Sequence, residues 1–206
     1  AKSNLRMLKG VEQVNIVDSF VVDKQHFLNA YRISEESGKL MTYDNFFNTN
    51  TDHQSTVYET EIGNKIYYGD KQDNGKLSIF TCNKLDGKWG TPSLLPDAIN
   101  NSVNANYPYV LTDGLTIYYA AEGKESMGGY DIFVTRYNTN TDSYLTPENV
   151  GMPFNSPYND YMFVIDEFNN LGWFASDRYH VFMCSFRMKP NGYIIMKIQI
   201  RRNSLT

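Results

Sequence analysis

The spacing of apolar positions changes along this chain. Leu5, Leu8 and Val11 recur at three-residue steps, which predicts a short helix over residues 3–14. The stretch from Val14 to Val22 predicts one or two strands. Asp23 is placed to cap a short helical turn over Lys24–Tyr31, and Ser34–Gly38 reads as a turn. Asn45–Gln54 is a polar stretch and the expected linker. From Ser55 onward, short aromatic-rich runs alternate with Gly, Asn and Asp clusters, the pattern of an all-β chain.

That region repeats. Val57-Tyr58-Glu59, Lys65-Ile66-Tyr67-Tyr68, Leu77-Ser78-Ile79-Phe80 and Trp89 form one copy. Tyr107-Pro108-Tyr109-Val110, Thr116-Ile117-Tyr118-Tyr119, Asp131-Ile132-Phe133-Val134 and Tyr144 form a second. Tyr161-Met162-Phe163-Val164 and Gly172-Trp173-Phe174-Ala175 open a third. Ile66 and Ile117 stand 51 residues apart, Ile79 and Ile132 53, Pro92 and Pro147 55; Asn101-Ser102 recurs as Asn155-Ser156 at 54, and Tyr107 as Tyr161 at 54. A period near 50 with several short strands per unit predicts β-propeller-type blades, about three of them, with N-terminal strands and a short helix, in an incomplete ring. A β-sandwich also has evenly spaced short strands, but gives no reason for the same residues to recur in the same order. The expected organisation is residues 1–54 as an N-terminal part of a blade, 55–178 as repeats (about 55–104, 105–158 and 159–178 onward), and 179–206 as an atypical tail.

The second unit carries a resemblance. Tyr107-Pro108-Tyr109-Val110-Leu111-Thr112-Asp113-Gly114, Ile117-Tyr118-Tyr119-Ala120 and Gly128-Gly129-Tyr130-Asp131-Ile132-Phe133 resemble the WD-repeat-like propeller repeat of TolB-type periplasmic proteins. Pro153-Phe-Asn-Ser-Pro-Tyr-Asn-Asp-Tyr161 and Ala175-Ser-Asp-Arg178 are similar to exported proteins of Bacteroidetes. The resemblance covers roughly residues 55–178. It implies export to the periplasm or outer membrane and a role in envelope binding or assembly, and is specific for fold rather than function. In the physics of the motif, Asp113-Gly114 and Gly128-Gly129 suit turns needing positive φ, Asp131 can accept from its turn backbone, and Pro108 belongs at a strand start or edge.

The tail departs from that pattern. Where a Gly-x-Asp-Ile-Tyr strand is expected, Tyr179 leads into Val-Phe-Met-Cys-Ser-Phe-Arg-Met-Lys-Pro-Asn-Gly-Tyr-Ile-Ile-Met-Lys-Ile-Gln-Ile. Read in a shifted frame, one choice of codons gives FYVFIPNETKRVYNYE, which looks like the family's outer strand. Residues from about His180 are therefore expected to be a frameshifted read, and no chemistry is assigned to 180–206. Tyr193–Met196 and Ile198–Ile200 still favour strand, so part of 181–200 is expected to pair with the third unit's edge, with Asn191-Gly192 as a turn.

Composition narrows the function. A net charge of −4 and one small basic cluster, Arg201-Arg202, leave no stripe for a nucleic-acid duplex. No run of 18 apolar residues would span a membrane. The two cysteines, Cys82 and Cys184, form no metal pattern and read as small buried hydrophobes, with a disulfide between them as the alternative. His26, His53 and His180 have no second ligand at metal spacing, and Gly123-Lys-Glu-Ser126-Met-Gly128 lacks the Gly-x-Ser-x-Gly spacing of a nucleophile elbow. The carboxylates Asp70, Asp73, Asp113, Glu122, Asp131, Asp160, Asp166, Glu167 and Asp177 leave a propeller glycosidase as the alternative, although Asp113, Asp131 and Asp160 occupy turn and strand-end positions of the repeat. No cofactor is expected. The expected function is a non-catalytic module binding an envelope protein or a glycan. Its candidate binding residues are Tyr68, Tyr119 and Trp173 in matching strands, with Asp131 and Arg178. Packing between sheets is the competing role for the aromatics.

Overall fold

The computed structural model describes residues 15–51, 54–178 and 192–200. The helix expected over 3–14 lies outside them. In chain order the strands are β1 (Asn15–Asp23), β2 (Lys39–Thr42), β3 (Thr56–Glu59), β4 (Lys65–Lys71), β5 (Leu77–Leu85), β6 (Lys88–Trp89), β7 (Ser93–Leu94), β8 (Asn104–Val110), β9 (Thr116–Glu122), β10 (Tyr130–Asn138), β11 (Ser143–Tyr144), β12 (Glu148–Asn149), β13 (Asp160–Asp166), β14 (Leu171–Ser176) and β15 (Gly192–Gln199). The fold is predominantly β, in three antiparallel sheets: β2-β3-β4-β5-β6 with β7 on β5, β11-β10-β9-β8 with β12 on β10, and β1-β15-β14-β13.

The pleat explains the packing. Alternate side chains of a strand face opposite sides, so in β14 Trp173 and Ala175 join the large central core while Phe174 joins a second core with Ile132, Phe163, Met196 and Ile198. β3 meets the edge strands β8 and β13: Tyr58 and Tyr109 rings lie 4.9 Å apart, the Tyr109 hydroxyl donates to the Ile165 carbonyl, and the Thr56 hydroxyl donates to the Met162 sulfur at 3.6 Å.

The repeat is visible in hydrogen bonds. Asn100 donates to and accepts from the Ile79 backbone at 3.0 and 2.9 Å, and Asn155 does the same to Ile132 at 2.9 and 2.7 Å. Asn104 accepts from the Leu77 N–H and donates to Glu122; Asn159 accepts from the Tyr130 N–H and donates to Asp177. The repeating asparagine is therefore Asn100, not Asn101, and the spacing to its counterpart is 55, not the 54 expected from the Asn-Ser string. The drift from 51 to 55 comes from two turns: β4 and β5 are joined by residues 72–76 but β9 and β10 by 123–129, and β5 and β6 by 86–87 but β10 and β11 by 139–142.

Other expectations are corrected. The expected linker begins inside an α-helix, α1 (Tyr43–Phe47), whose Thr42 cap accepts from the Asn45 N–H. Phe46 and Phe47 pack beside Val57, Ile66, Tyr68 and Cys82, so this is core-covering structure. The turn after Asp23 is a 3-10 helix, Phe27–Ala30, with His26 at its N-cap; Asp23 instead accepts from Gln25 N–H. Pro108 sits inside β8 at a register shift between Asn106 and Tyr109, on the sheet's edge strand, where no ladder donor is needed. Gly114 has the expected positive φ, +67°. Gly128 and Gly129 do not; they serve close approach, because a Cβ there would meet the Tyr158 carbonyl oxygen or the Asn159 side-chain oxygen at 2.1 Å.

The tail strand β15 pairs with β14 and with β1. Ile195 lies opposite Ala175 as Ile132 lies opposite Ala120, and Ile195 and Ile132 are both fully buried. The third sheet thus has its third strand in the repeat's register, although the connection to it spans residues 177–191. Asn191, one half of the expected turn, lies outside the described residues.

Candidate functional site

The expected binding residues are dispersed and mostly interior. Tyr68 lies among Tyr43, Phe47 and Phe80, and Tyr119 is stacked on Phe133 at 6.0 Å. Trp173 is 1% exposed, with its indole N–H unpartnered and the Lys197 ammonium 5.8 Å from its ring centre. These rings pack the interior, and Tyr68 and Tyr119 also border open space, in separate cavities.

Asp131 is fully buried and accepts from the Met127 and Gly128 N–H groups and from the Asn149 amide, which anchors the 123–130 turn. Burial pushes its carboxyl up against those bonds. Arg178 is also tied down. It donates to Asp160 at 2.7 Å, to the Pro153 and Phe154 carbonyls and to Ser176, with its guanidinium carbon 5.3 Å over the Phe174 ring. Asp160 is pushed up by burial, opposed chiefly by the Arg178 charge.

Two further carboxylates are held by several donors each. Asp113 accepts from Leu115 and Thr116 and pairs with Arg136 at 2.5 Å; Asp166 accepts from Ser34, Ser37 and Asn169. Burial raises both, but the hydrogen bonds outweigh it and hold both carboxyls below their ordinary value. Ser126 donates to the Ala121 carbonyl and accepts from Gly123 N–H, as a loop serine does. Cys82 is buried, and its thiol donates to the Gly90 carbonyl at 3.1 Å; Cys184 lies outside the described residues. Among the described residues no three His, Cys, Asp or Glu side chains cluster as metal ligands, and no helix is long and apolar enough to cross a membrane.

The site that residue-by-residue reading missed is a cavity of about 410 Å³ where β1 ends and β3 and β15 begin, and it includes Tyr193 of the tail segment to which no chemistry was assigned. Its buried floor is Phe27, Tyr107 and Tyr193, whose rings meet edge-on: Phe27 lies 6.3 Å from Tyr107 and 5.4 Å from Tyr193. Its rim is polar: Lys24, Gln25, Thr42, Asp44, Asn50 and Gln54. Tyr107 reaches this floor from the β8 bulge with φ +56°, a conformation that costs a tyrosine free energy and is held by the neighbouring bond from its N–H to Asn106. Lys24 stands 4.9 Å over the Tyr193 ring, and Asp44 accepts from Thr49 and Thr51. Asp44 is the only carboxylate among the described residues that line it. In the sequence, Pro108 signals a bulge inside a strand but does not point to the cavity.

A scan against protein-family models finds no match, and neither the curated proteins nor the solved structures contain one.

Proposed function

We propose that this chain is a non-catalytic binding module of the bacterial cell envelope, built of propeller-type blades, which takes a glycan or an envelope protein at the cavity between Lys24 and Tyr193. The observation that carries the reading is the cavity's make-up: an aromatic floor under a rim of amides, hydroxyls, one ammonium and one carboxylate. About 410 Å³ lies within the usual range for small-ligand sites, and a few convergent polar groups over apolar walls are what orient a ligand there. Propeller-type blades are supported by the three sheets in sequence order and the 55-residue recurrence of Asn100 and Asn104 as Asn155 and Asn159. The envelope assignment rests on the resemblance of residues 55–178 alone.

The alternative, a glycan-active enzyme, calls for two carboxylates about 5–10 Å apart across a scissile bond. Among the described residues the lining holds one carboxylate, Asp44, which favours binding over hydrolysis. A glycan array and a pull-down from envelope extract, each run with wild type and with Lys24→Ala/Gln54→Ala, test the proposal. Ligand capture by wild type that the double variant loses supports it. Silence in both assays, or turnover of a glycan, overturns it.

A further inference from the structure

A second site emerges from the internal repeat, at a place the proposed ligand cavity does not reach. In the third sheet, Arg178 lies in a slot between β14 and the connector 150–159. The slot has an aromatic floor (Phe174), a carbonyl wall (Pro153 and Phe154) and a buried countercharge (Asp160). The paired asparagine bonds fix the counterparts 55 residues earlier: Tyr119 stands for Phe174, Ala98 for Pro153, Ala121 for Ser176, Gly123 for Arg178 and Ala105 for Asp160. The strand registers agree, because Ala105 pairs with Ala121 as Asp160 pairs with Ser176.

What replaces the arginine is space. A cavity of about 450 Å³ is lined by Ala98, Ser102, Tyr119, Ala121, Gly123 and Glu125, among others. We propose that this cavity is a seat for the arginine side chain of a protein partner. The repeat supplies the precedent: 55 residues on, the corresponding strand and connector hold a guanidinium over Phe174 and against the Pro153 and Phe154 carbonyls, and of their counterparts Tyr119 and Ala98 line the cavity. A guanidinium suits such a seat because it is planar, stacks on rings and presents several fixed N–H donors, which an ammonium does not.

The seat differs from its model in one respect. Ala105 supplies no buried carboxylate, so the countercharge falls to Glu125 on the lining, beside Lys124. Affinity for a lone side chain is therefore low, and one arginine acts as an anchor within a larger contact.

The first sheet carries a related slot. Tyr68 and Phe80 stack at 5.9 Å as Tyr119 and Phe133 do at 6.0 Å, and both border a cavity of about 510 Å³ that also includes Gln72.

The test is titration of the full chain with N-acetyl-arginine methylamide, read in amide spectra at Ser102, Ala121 and Gly123, with N-acetyl-lysine methylamide as the control probe. Gly123→Arg fills the slot from within. It is tolerated because Gly123 is not at positive φ and a Cβ there meets nothing closer than Ser102 Cβ at 3.7 Å. Gly123→Ala adds that Cβ and leaves the slot open. The expected result is saturable shifts with the arginine probe, at least about ten-fold weaker binding of the lysine probe, loss in Gly123→Arg and retention in Gly123→Ala. Absence of saturation, equal binding of both probes, persistence in Gly123→Arg or loss in Gly123→Ala overturns the proposal.

Discussion

Two copies of one slot, occupied in the third sheet and open in the second, separate what holds this fold together from what is available for binding. In the third sheet Asp160 and Arg178 close the gap between the connector and β14, with Asp160 fully buried and the Arg178 side chain 15% exposed. In the second, Ala105 stands in the aspartate's place and Gly123 in the arginine's, and Gly123 lines a cavity that Tyr119 also borders. Both copies keep the asparagine bonds that fix the connectors, so the frame is independent of the ion pair. The pair fills space in one copy, and its absence creates a binding surface in the other.

The largest effect expected from breaking this comparison is at the filled slot. Arg178→Met leaves Asp160 buried without its partner, and removing one member of a buried pair costs about 3–5 kcal/mol. Urea unfolding should show a loss of that size. By contrast, Lys124→Ala at the open slot should stay within about 0.5 kcal/mol. Equal losses at the two slots would show that the slots are not occupied and empty forms of one device.

The asparagines come next. Asn155→Ala and Asn100→Ala each strip two hydrogen bonds from a buried isoleucine backbone and should each cost about 2–3 kcal/mol in the same unfolding assay. Near-equal losses sharpen the repeat; a negligible loss at either one breaks it.

The sequence made the β class and the repeat legible because strand alternation and aromatic recurrence are local signals. The exact equivalences were not, because turn lengths shift the register by two residues at each of two places, and a matching Asn-Ser string drew attention to Asn101 instead of Asn100. The apolar pair Phe46–Phe47 was masked by the polar residues around it, which is why a core-covering helix read as a linker. Among the candidate site residues, Tyr68, Tyr119 and Trp173 were legible as members of matching strands, but Phe174 and not Trp173 is the counterpart of Tyr119, and alternation assigns a side chain to a face without saying what covers that face. The cavity floor draws Phe27, Tyr107 and Tyr193 from segments up to 166 residues apart in sequence, so no local pattern pointed to it. β15 illustrates the same limit: its strand propensity was plain, but its register against Ala175 depends on pairing across a long connection.

A smaller effect concerns pH. Asp166 and Asp113 have folded-state pKa values depressed below their ordinary value, so each contributes stability that is present above the unfolded pKa of about 3.9 and lost as pH falls through the lower folded value. Asp131 and Asp160, whose values are raised, contribute in the opposite sense as pH rises past the ordinary value. Asp166→Asn should therefore flatten the loss of stability on acidification below about pH 4. An unchanged acid limb in denaturant titrations would remove Asp166 from the account.

The most direct measurement is a double-mutant cycle that transplants the filled slot into the open one. Ala105→Asp, Gly123→Arg and the double variant are compared by urea unfolding. If the slots are copies of one unit, the single Ala105→Asp is destabilised by its buried, unpaired carboxylate, and Gly123→Arg recovers it with a favourable coupling of at least about 1 kcal/mol. A coupling of zero, or an unfavourable one, would contradict the equivalence on which both the repeat and the arginine seat rest.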